Sequence, residues 1–425
     1  MPCIRPFKAL RYDTDAAGTI DKLVAPPYDI IYDNWRDRLY DRSDYNIIRL
    51  IKTREEASGS DPGAKYERAG QDIRSWIEKG VLRYEDKPSM YIRAETFTVD
   101  GEEKTRFGFI ALLRLEDFGK NIHPHERTLS GPRADRLNLV KATSANLSQI
   151  FSIYRDTDGV IETRILAVTA NDPDISFIDE QDIFRRMWVV NDSETIDAIV
   201  GAMKDREVII ADGHHRYETA LEYKKYMEPQ RTKADEPFDY VSMYFSSADS
   251  EGMTILPTHR KVFDLDHIDK DEFFRRLAVD FTVEYIGKKP LKEVQALIAE
   301  TSAETSVFAM YTRDGYRIAR LNKPDNPKRL DVEVLHDDIV EEMLNITKED
   351  IAAGRFLHFS KSAEHALEDV DAERDQMAII MNPITPDELF RTVLQGRRMP
   401  QKSTYFYPKT MSGLVMYSID DKSIS

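Results

Sequence analysis

The sequence predicts a mixed α/β (α+β) fold, and three observations carry that prediction. First, two runs of strand composition, 90–98 and 105–115, flank Asp100-Gly101, a dipeptide that favours a tight hairpin. Second, between 187 and 221 the pattern alternates between apolar runs and helical spacing. It reads as strand 187–190, helix 193–204, strand 208–210, a glycine turn and a further helix. Third, the mixture resumes after 264, with a helix at 291–299, a hairpin of 307–311 and 316–321 around Asp314-Gly315, and a short apolar strand at 377–381.

At 425 residues the chain is too long for one ordinary core. Three regions are drawn: 1–155, 156–263 and 264–425. In the first, the segment 24–31 (VAPPYDII) is held extended by consecutive prolines and presents Tyr28 and Asp29. Tyr66, Ala69, Ile73, Trp76 and Ile77 then recur at helical spacing, with Gly80 placed to end the helix. The hairpin follows, and after it a long polar segment, 119–148, whose length and composition mark it as functional. The second region opens on a helix at 161–169. Ser193 is the expected N-cap of the next helix, whose inward face is Ile196, Ile199, Val200 and Met203. In the helix after the glycine turn, Tyr217, Ala220, Leu221 and Met227 face inward, and Lys224 falls in that stripe. In the third region 331–344 reads as a helix and 368–375 as a solvated charge run.

Composition narrows the function classes. With 60 basic against 76 acidic residues the net charge is −16, which opposes sequence-independent nucleic-acid binding, so no nucleic-acid partner is expected. No apolar run approaches the ~18 residues of a membrane span. The first residues, MPCIRPFKAL, lack the apolar core of a signal peptide, and the single cysteine, Cys3, excludes an intrachain disulfide. The expected location is cytoplasmic, and the expected partners are small molecules.

The most informative stretch is ADGHHRYETA, 211–220. It follows the apolar run Val208-Ile209-Ile210 and enters a helix. Asp212, Gly213, His214, His215 and Arg216 therefore sit where helix N–H groups are unpaired and the dipole is positive, a setting that attracts phosphate. Gly213 permits a left-handed turn. Arg216 suits a two-pronged grip on phosphate, and Asp212 suits Mg²⁺ or proton capture. His214 or His215 is placed to donate to a transferring phosphoryl group. The plain structural alternative makes Asp212 a helix cap, Arg216 an ion-pair partner and the histidines surface residues.

Four further groups carry chemistry. His123-Pro124-His125-Glu126-Arg127-Thr128 offers a general base (Glu126), a donor (His125) and a second phosphate arginine (Arg127); zinc lacks evident third and fourth ligands here. Tyr28 and Asp29 suit substrate binding. Leu256-Pro257-Thr258-His259-Arg260 reads as the strand after the phosphate helix, with His259 and Arg260 directed at substrate. Lys402, Ser403 and Thr404, within MPQKSTYFYPK, form a small phosphate-friendly cluster. No P-loop or kinase-type glycine loop is present.

ADGHHRYETA resembles the signature of the ParB/sulfiredoxin-like superfamily, and within it the DGHHR form of the archaeal free serine kinases. Through VAPPYDII, HPHERTLSGPRADR, ADGHHRYETAL, LPTHR and MPQKSTYFYPK the chain resembles, over roughly 1–420, a bacterial family known as a domain of unknown function, numbered one thousand and fifteen. The resemblance implies a ParB-like core with additional α/β regions on both sides, and a nucleotide phosphate bound at the DGHHR turn. The expected function is phosphoryl transfer or phosphohydrolysis on a small hydroxyl metabolite, free serine or phosphoserine, with Mg²⁺ and ATP or ADP. The alternative is a ParB-like nucleotide-hydrolysing switch that binds a macromolecule. A sulfiredoxin-like repair reaction does not fit, because that turn carries a cysteine where this one has histidines.

Overall fold

The computed structural model describes residues 1–54, 63–126, 131–264, 269–301, 304–323, 329–400 and 402–424; at 131 and 132 it describes the backbone alone. The chain divides into two compact units, Met1–Thr254 with Pro408–Ser425, and Ile255–Tyr407. The divisions drawn from motifs, after 155 and after 263, fall elsewhere, because strands on both sides of 155 enter one sheet.

In the first unit the described residues form a nine-stranded mixed sheet. Its order is Ile122–Pro124, Val208–Asp212, Ile150–Tyr154, Tyr240–Ser247, Glu102–Arg114, Met90–Val99, Phe184–Val190 and Ile175–Ile178, with Ile4–Arg5 also pairing on Glu102–Arg114. Val208–Asp212 runs parallel to Ile122–Pro124, and Tyr240–Ser247 parallel to Ile150–Tyr154. The Asp100-Gly101 turn closes the hairpin as the sequence predicts, with both residues at positive φ. One face of the sheet builds the core: Ile92, Phe109, Ile150, Val208, Ile210, Met243 and Phe245 meet Ile161, Ile165, Ile199 and Tyr217 from helices Val160–Thr169, Ser193–Met203 and His214–Met227. Fully burying one such side chain is worth about 1.5–3 kcal/mol, so this layer is what fixes the strands that end at the turn.

Several local expectations change. The polar segment 119–148 is mostly regular. It holds the Ile122–Pro124 strand, recruited by backbone pairing with Val208–Ile210, and a helix, Gly131–Thr143, whose charged flanks masked the apolar Leu139. The helix Ser193–Met203 is capped by Asp192, whose carboxylate accepts from the N–H groups of Glu194 and Thr195; one residue earlier, its side chain reaches the first free donors. Tyr28–Ile30 forms a short 3₁₀ turn where extended chain is expected. Lys224 is accommodated by an ion pair with Asp239 at 2.9 Å.

Among the described residues the second unit has a six-stranded sheet in the order Phe281–Gly287, Gly315–Leu321, Val307–Thr312, Met377–Ile380, His259–Val262 and Leu357–Ser360. His259 and Arg260 therefore belong to a different unit from the phosphate-type helix, which Tyr240–Ser247 follows. The 331–344 helix is α-helical only over Asp331–Val334 and continues as a π-helix over Leu335–Met343. Asp369 and Asp375 in the charge run pair with Lys261, and Asp375 is buried, so that run is not simply solvated.

Candidate functional site

The strand Val208–Asp212 delivers the turn. It is apolar through Ile210, which seats it between two neighbours, and its register on Ile150–Tyr154 shifts between Ile210 and Asp212. That irregularity turns the chain out of the sheet at Asp212. Gly213 follows at φ 92°, ψ 31°, a left-handed conformation that glycine adopts without strain. A Cβ there would also sit 2.7 Å from Arg216 Nε. The helix His214–Met227 starts at once, with the Gly213 carbonyl accepting from the N–H groups of Arg216 and Tyr217.

Asp212 and Arg216 lie one helical turn apart and pair, Arg216 Nη2 donating to Asp212 Oδ2 at 2.5 Å. Arg216 Nη1 donates to the Gln149 carbonyl. The other carboxylate oxygen, Asp212 Oδ1, accepts from Lys409 Nζ at 2.6 Å. Burial opposes ionisation of Asp212, but the charges of Lys409 and Arg216 outweigh it and hold the carboxyl well below its usual range. Lys409 is the residue that sequence reasoning missed.

The rings of His214 and His125 pack at a tilt of 59°, with centroids 4.6 Å apart. The backbone N–H of His125 donates to His214 Nε2 at 3.3 Å, and His125 Nδ1 bonds the Ile210 carbonyl at 2.5 Å. His214 Nε2 is thus an acceptor, which requires a neutral ring. Burial, then the nearby His125, depress its pKa to about 3, while Glu126 and Asp212 act on it in the opposite sense. Glu126 also lies 3.5 Å from His125 Nε2. His215 keeps a buried Nε2 with no hydrogen-bond partner among the described residues. The described part of the first motif, 123–126, and the motif 211–220 are therefore brought together, through the parallel pairing of Ile122–Pro124 with Val208–Ile210. Arg127 lies outside the described residues.

Tyr28 also reaches the turn. Its ring lies under the Arg136 guanidinium at 3.9 Å, and burial raises its hydroxyl pKa, with Arg136, Arg216 and Asp212 all near enough to act on it. Asp29 is exposed. Tyr28, Arg136 and Arg216 line a narrow cleft of about 60 Å³, room for little more than water. Tyr28 and Arg136 also line a polar cleft of about 370 Å³ with Lys52, Lys65, Tyr66 and Asp135, large enough for a small ligand.

A resident metal does not fit. Both oxygens of Asp212 face cations, His123 Nε2 is 2.6 Å from Glu207, and His125 Nδ1 is spent on a carbonyl. Among the described residues no group of three or more His, Cys, Asp or Glu side chains is arranged to hold a metal ion. The expectation of Mg²⁺ at Asp212 gains no support from this geometry.

His259, Arg260, Lys402, Ser403 and Thr404 lie in the second unit. There the two blocks meet: Arg260 Nη2 donates to the Lys402 carbonyl at 3.2 Å. Arg260 is buried, its other donors going to His336 Nε2 at 2.9 Å and to the Thr258 carbonyl. Burial depresses the pKa of His259 to about 4, and burial followed by Arg260 depresses that of His336 to about 3. Ser403 Oγ donates to the Pro400 carbonyl at 2.6 Å.

Fold and site together define a mixed α/β protein with a half-buried, charged strand-to-helix turn. The chain belongs to the family described as Protein of unknown function (DUF1015), whose model matches residues 4–336. No curated protein matches the chain significantly. Among solved structures it is similar to a conserved hypothetical protein from Pyrococcus furiosus, at 14% identity and a TM-score of 0.35, covering 71% of this chain and 92% of that one. It is also similar to a free serine kinase in complex with ADP, at 13% identity and a TM-score of 0.36, covering 70% of this chain and 87% of that one. A third is SbnI from Staphylococcus aureus, at 10% identity and a TM-score of 0.35, covering 72% and 86%. No helix among the described residues is long and apolar enough to cross a membrane.

Proposed function

We propose that the protein is a phosphotransferase that binds a nucleotide, ATP or ADP, at the DGHHR turn and moves its terminal phosphoryl group to the hydroxyl of a small metabolite, serine being the first candidate. One observation carries this: a half-buried carboxylate clamped by Arg216 and Lys409 where the positive end of helix His214–Met227 emerges from a strand. A site that concentrates cations and helix N–H groups is suited to spread negative charge, which is most of what phosphoryl transfer asks of a protein. Gly213 brings backbone close to a phosphate, and Arg216 steadies it. Neutral His214 supplies a hydrogen bond without adding like charge against the cations, and the unpartnered Nε2 of His215 offers a further one. Tyr28 and the adjoining polar cleft would hold the remainder of the ligand.

In the proposed step the metabolite hydroxyl oxygen bonds to the terminal phosphorus as the bond to the bridging oxygen breaks. ADP or AMP leaves, and the hydroxyl proton passes to Glu126. Glu126 is suited to this because its field and that of Asp212 both reach His214, so base and phosphate clamp share one neighbourhood. The test is direct. Purified protein is incubated with ATP or ADP and serine, with and without magnesium, and followed by phosphorus NMR. Formation of phosphoserine with matching loss of the donor is expected. Release of inorganic phosphate alone would make the protein a hydrolase, and no change in any donor would remove the enzyme reading.

A further inference from the structure

On the far side of the sheet from the main core, three strands bury an ionic cluster. The registers place Glu95 directly opposite Arg106 on one neighbour and opposite Arg185 on the other. Arg93 lies two residues before Glu95 and so on the same face. All four are essentially solvent-free. Glu95 Oε1 accepts from Arg93 Nη2 at 2.6 Å and from Arg185 Nη1 at 2.7 Å; Glu95 Oε2 accepts from Arg106 Nε at 2.9 Å. Asp179 takes Arg185 Nε at 2.6 Å.

Such a cluster is a poor way to stabilise a fold, since desolvating each ion costs several kcal/mol and apolar residues of like volume do as well or better. Its outward reach is more telling. Arg106 Nη2 donates to the Pro408 carbonyl at 2.6 Å, and Arg185 Nη2 to the Lys409 carbonyl at 3.2 Å. Two guanidinium groups, themselves fixed through one carboxylate, thus hold consecutive main-chain carbonyls of the returning segment Pro408–Ser425. The side chain that this backbone presents is Lys409, buried, with its ammonium on Asp212.

We propose that Lys409 is a residue of the DGHHR site that contacts the ligand phosphate beside Arg216, and that Arg106 and Arg185 are positioning residues that set it there. The ligand-contact half rests on the function proposed above; the positioning half does not. The two cations grip opposite oxygens of one carboxylate, so an anion approaching that carboxylate from the helix end meets both. A lysine on a free loop would lose rotamer freedom on meeting the ligand. Lys409, with its backbone clamped and its ammonium already paired with Asp212, has lost much of it.

The experiment uses full-length protein with Lys409→Met, Lys409→Arg and Arg185→Lys, each checked for folding by circular dichroism. Two readouts are taken: ADP affinity by calorimetry, and ionisation of Asp212 by carboxyl-carbon NMR across acid pH. Lys409→Met is expected to weaken ADP roughly tenfold or more. Lys409→Arg, which keeps the charge, should restore most of it. Arg185→Lys keeps charge in the cluster but cannot span both Glu95 and the Lys409 carbonyl. It should raise the pH at which Asp212 protonates and weaken ADP less than Lys409→Met does. Unchanged ADP affinity in folded Lys409→Met, where Arg216→Ala loses it, would make Lys409 a mere counter-ion. An unaltered Asp212 titration in folded Arg185→Lys would overturn the positioning role. Should Lys409→Met fail to fold, loss of ADP affinity in Arg185→Lys with a raised Asp212 midpoint supports the proposal, and wild-type values in both overturn it. If the wild-type protein binds neither ADP nor AMP, the proposed function and the ligand contact fall together, and the Asp212 titration still decides the positioning claim.

Discussion

The DGHHR turn of the first unit and the Arg260 cluster of the second contain the same ingredients in different use. Each groups an arginine, half-buried Arg216 in one and buried Arg260 in the other, with a histidine that its surroundings keep neutral, His214 and His336, both depressed to about 3. At the turn the guanidinium is aimed at a carboxylate that a second cation also holds, where a strand becomes a helix. In the second unit Arg260 donates to an imidazole and to the carbonyls of Thr258 and Lys402, and it stacks over Phe359. That arginine ties a strand to the turn around Lys402, whose φ of 59° is left-handed. Buried charge alone does not mark a site. What separates the two is the charge-bearing partner and the helix end, which together leave a field that an anionic ligand can enter.

The largest effect that sharpens this comparison is expected from Asp212→Asn. That change keeps the shape of the side chain and removes its charge. The substitution leaves the buried Lys409 ammonium and the half-buried Arg216 guanidinium without their carboxylate. Removing one partner of a fully buried pair costs about 3–5 kcal/mol; these groups keep some solvent, so thermal unfolding should shift down by less than that bound, and turnover should fall as well. A folded variant with wild-type melting would mean that Arg216 and Lys409 find other partners. Arg260→Met, which leaves no charge behind, should destabilise less if its cluster is purely a tie.

Acid stability separates the clusters next. A histidine with a depressed folded pKa stays neutral in the native state while the unfolded chain takes up a proton. Stability is therefore full above about 6.5, the unfolded value, and is lost as pH falls toward about 3 for His214. Each unit of pH in that window costs at most about 1.4 kcal/mol per such group. Asp212 has the same sign but a lower window: its contribution holds above the ordinary carboxylate range and is lost only as pH drops below it. His214→Asn should flatten the stability profile between about pH 6 and 4, measured by urea unfolding. An unchanged slope would show that His259 and His336 dominate it.

The smallest effect is expected from Lys402→Ala. If the turn of the first unit holds the ligand phosphate without help, ADP affinity should change less than about threefold, which is under 1 kcal/mol. A larger loss would bring Lys402, Ser403 and Thr404 into the site.

How much of this was legible in the sequence follows from which forces are local. The DGHHR turn could be found because five chemically capable residues are contiguous between an apolar run and a helical stripe. Both hairpins could be read from Asp100-Gly101 and Asp314-Gly315, since turn chemistry acts over two residues. The Gly131–Thr143 helix was hidden because its few apolar residues stand among charges. Lys409 lay inside a motif that sequence reasoning singled out, yet Lys402, Ser403 and Thr404 drew the attention. Only the long-range return of Pro408–Ser425 to the first unit makes Lys409 a neighbour of Asp212. The cluster of Arg93, Glu95, Arg106 and Arg185 was missed because charges at alternate strand positions normally signal a solvated face. The available signal was their complementary sign in matching phase on three strands.

The central claim is that the turn in the first unit binds the phosphate of a nucleotide, and calorimetric titration of ADP into wild-type and Arg216→Ala protein tests it most directly. Loss of one charge-assisted clamp is worth ~1.5–3 kcal/mol, so the variant should bind ADP about ten to a hundredfold more weakly while circular dichroism shows an intact fold. Equal affinity in the two folded proteins would contradict the account and remove the turn from any role in binding phosphate.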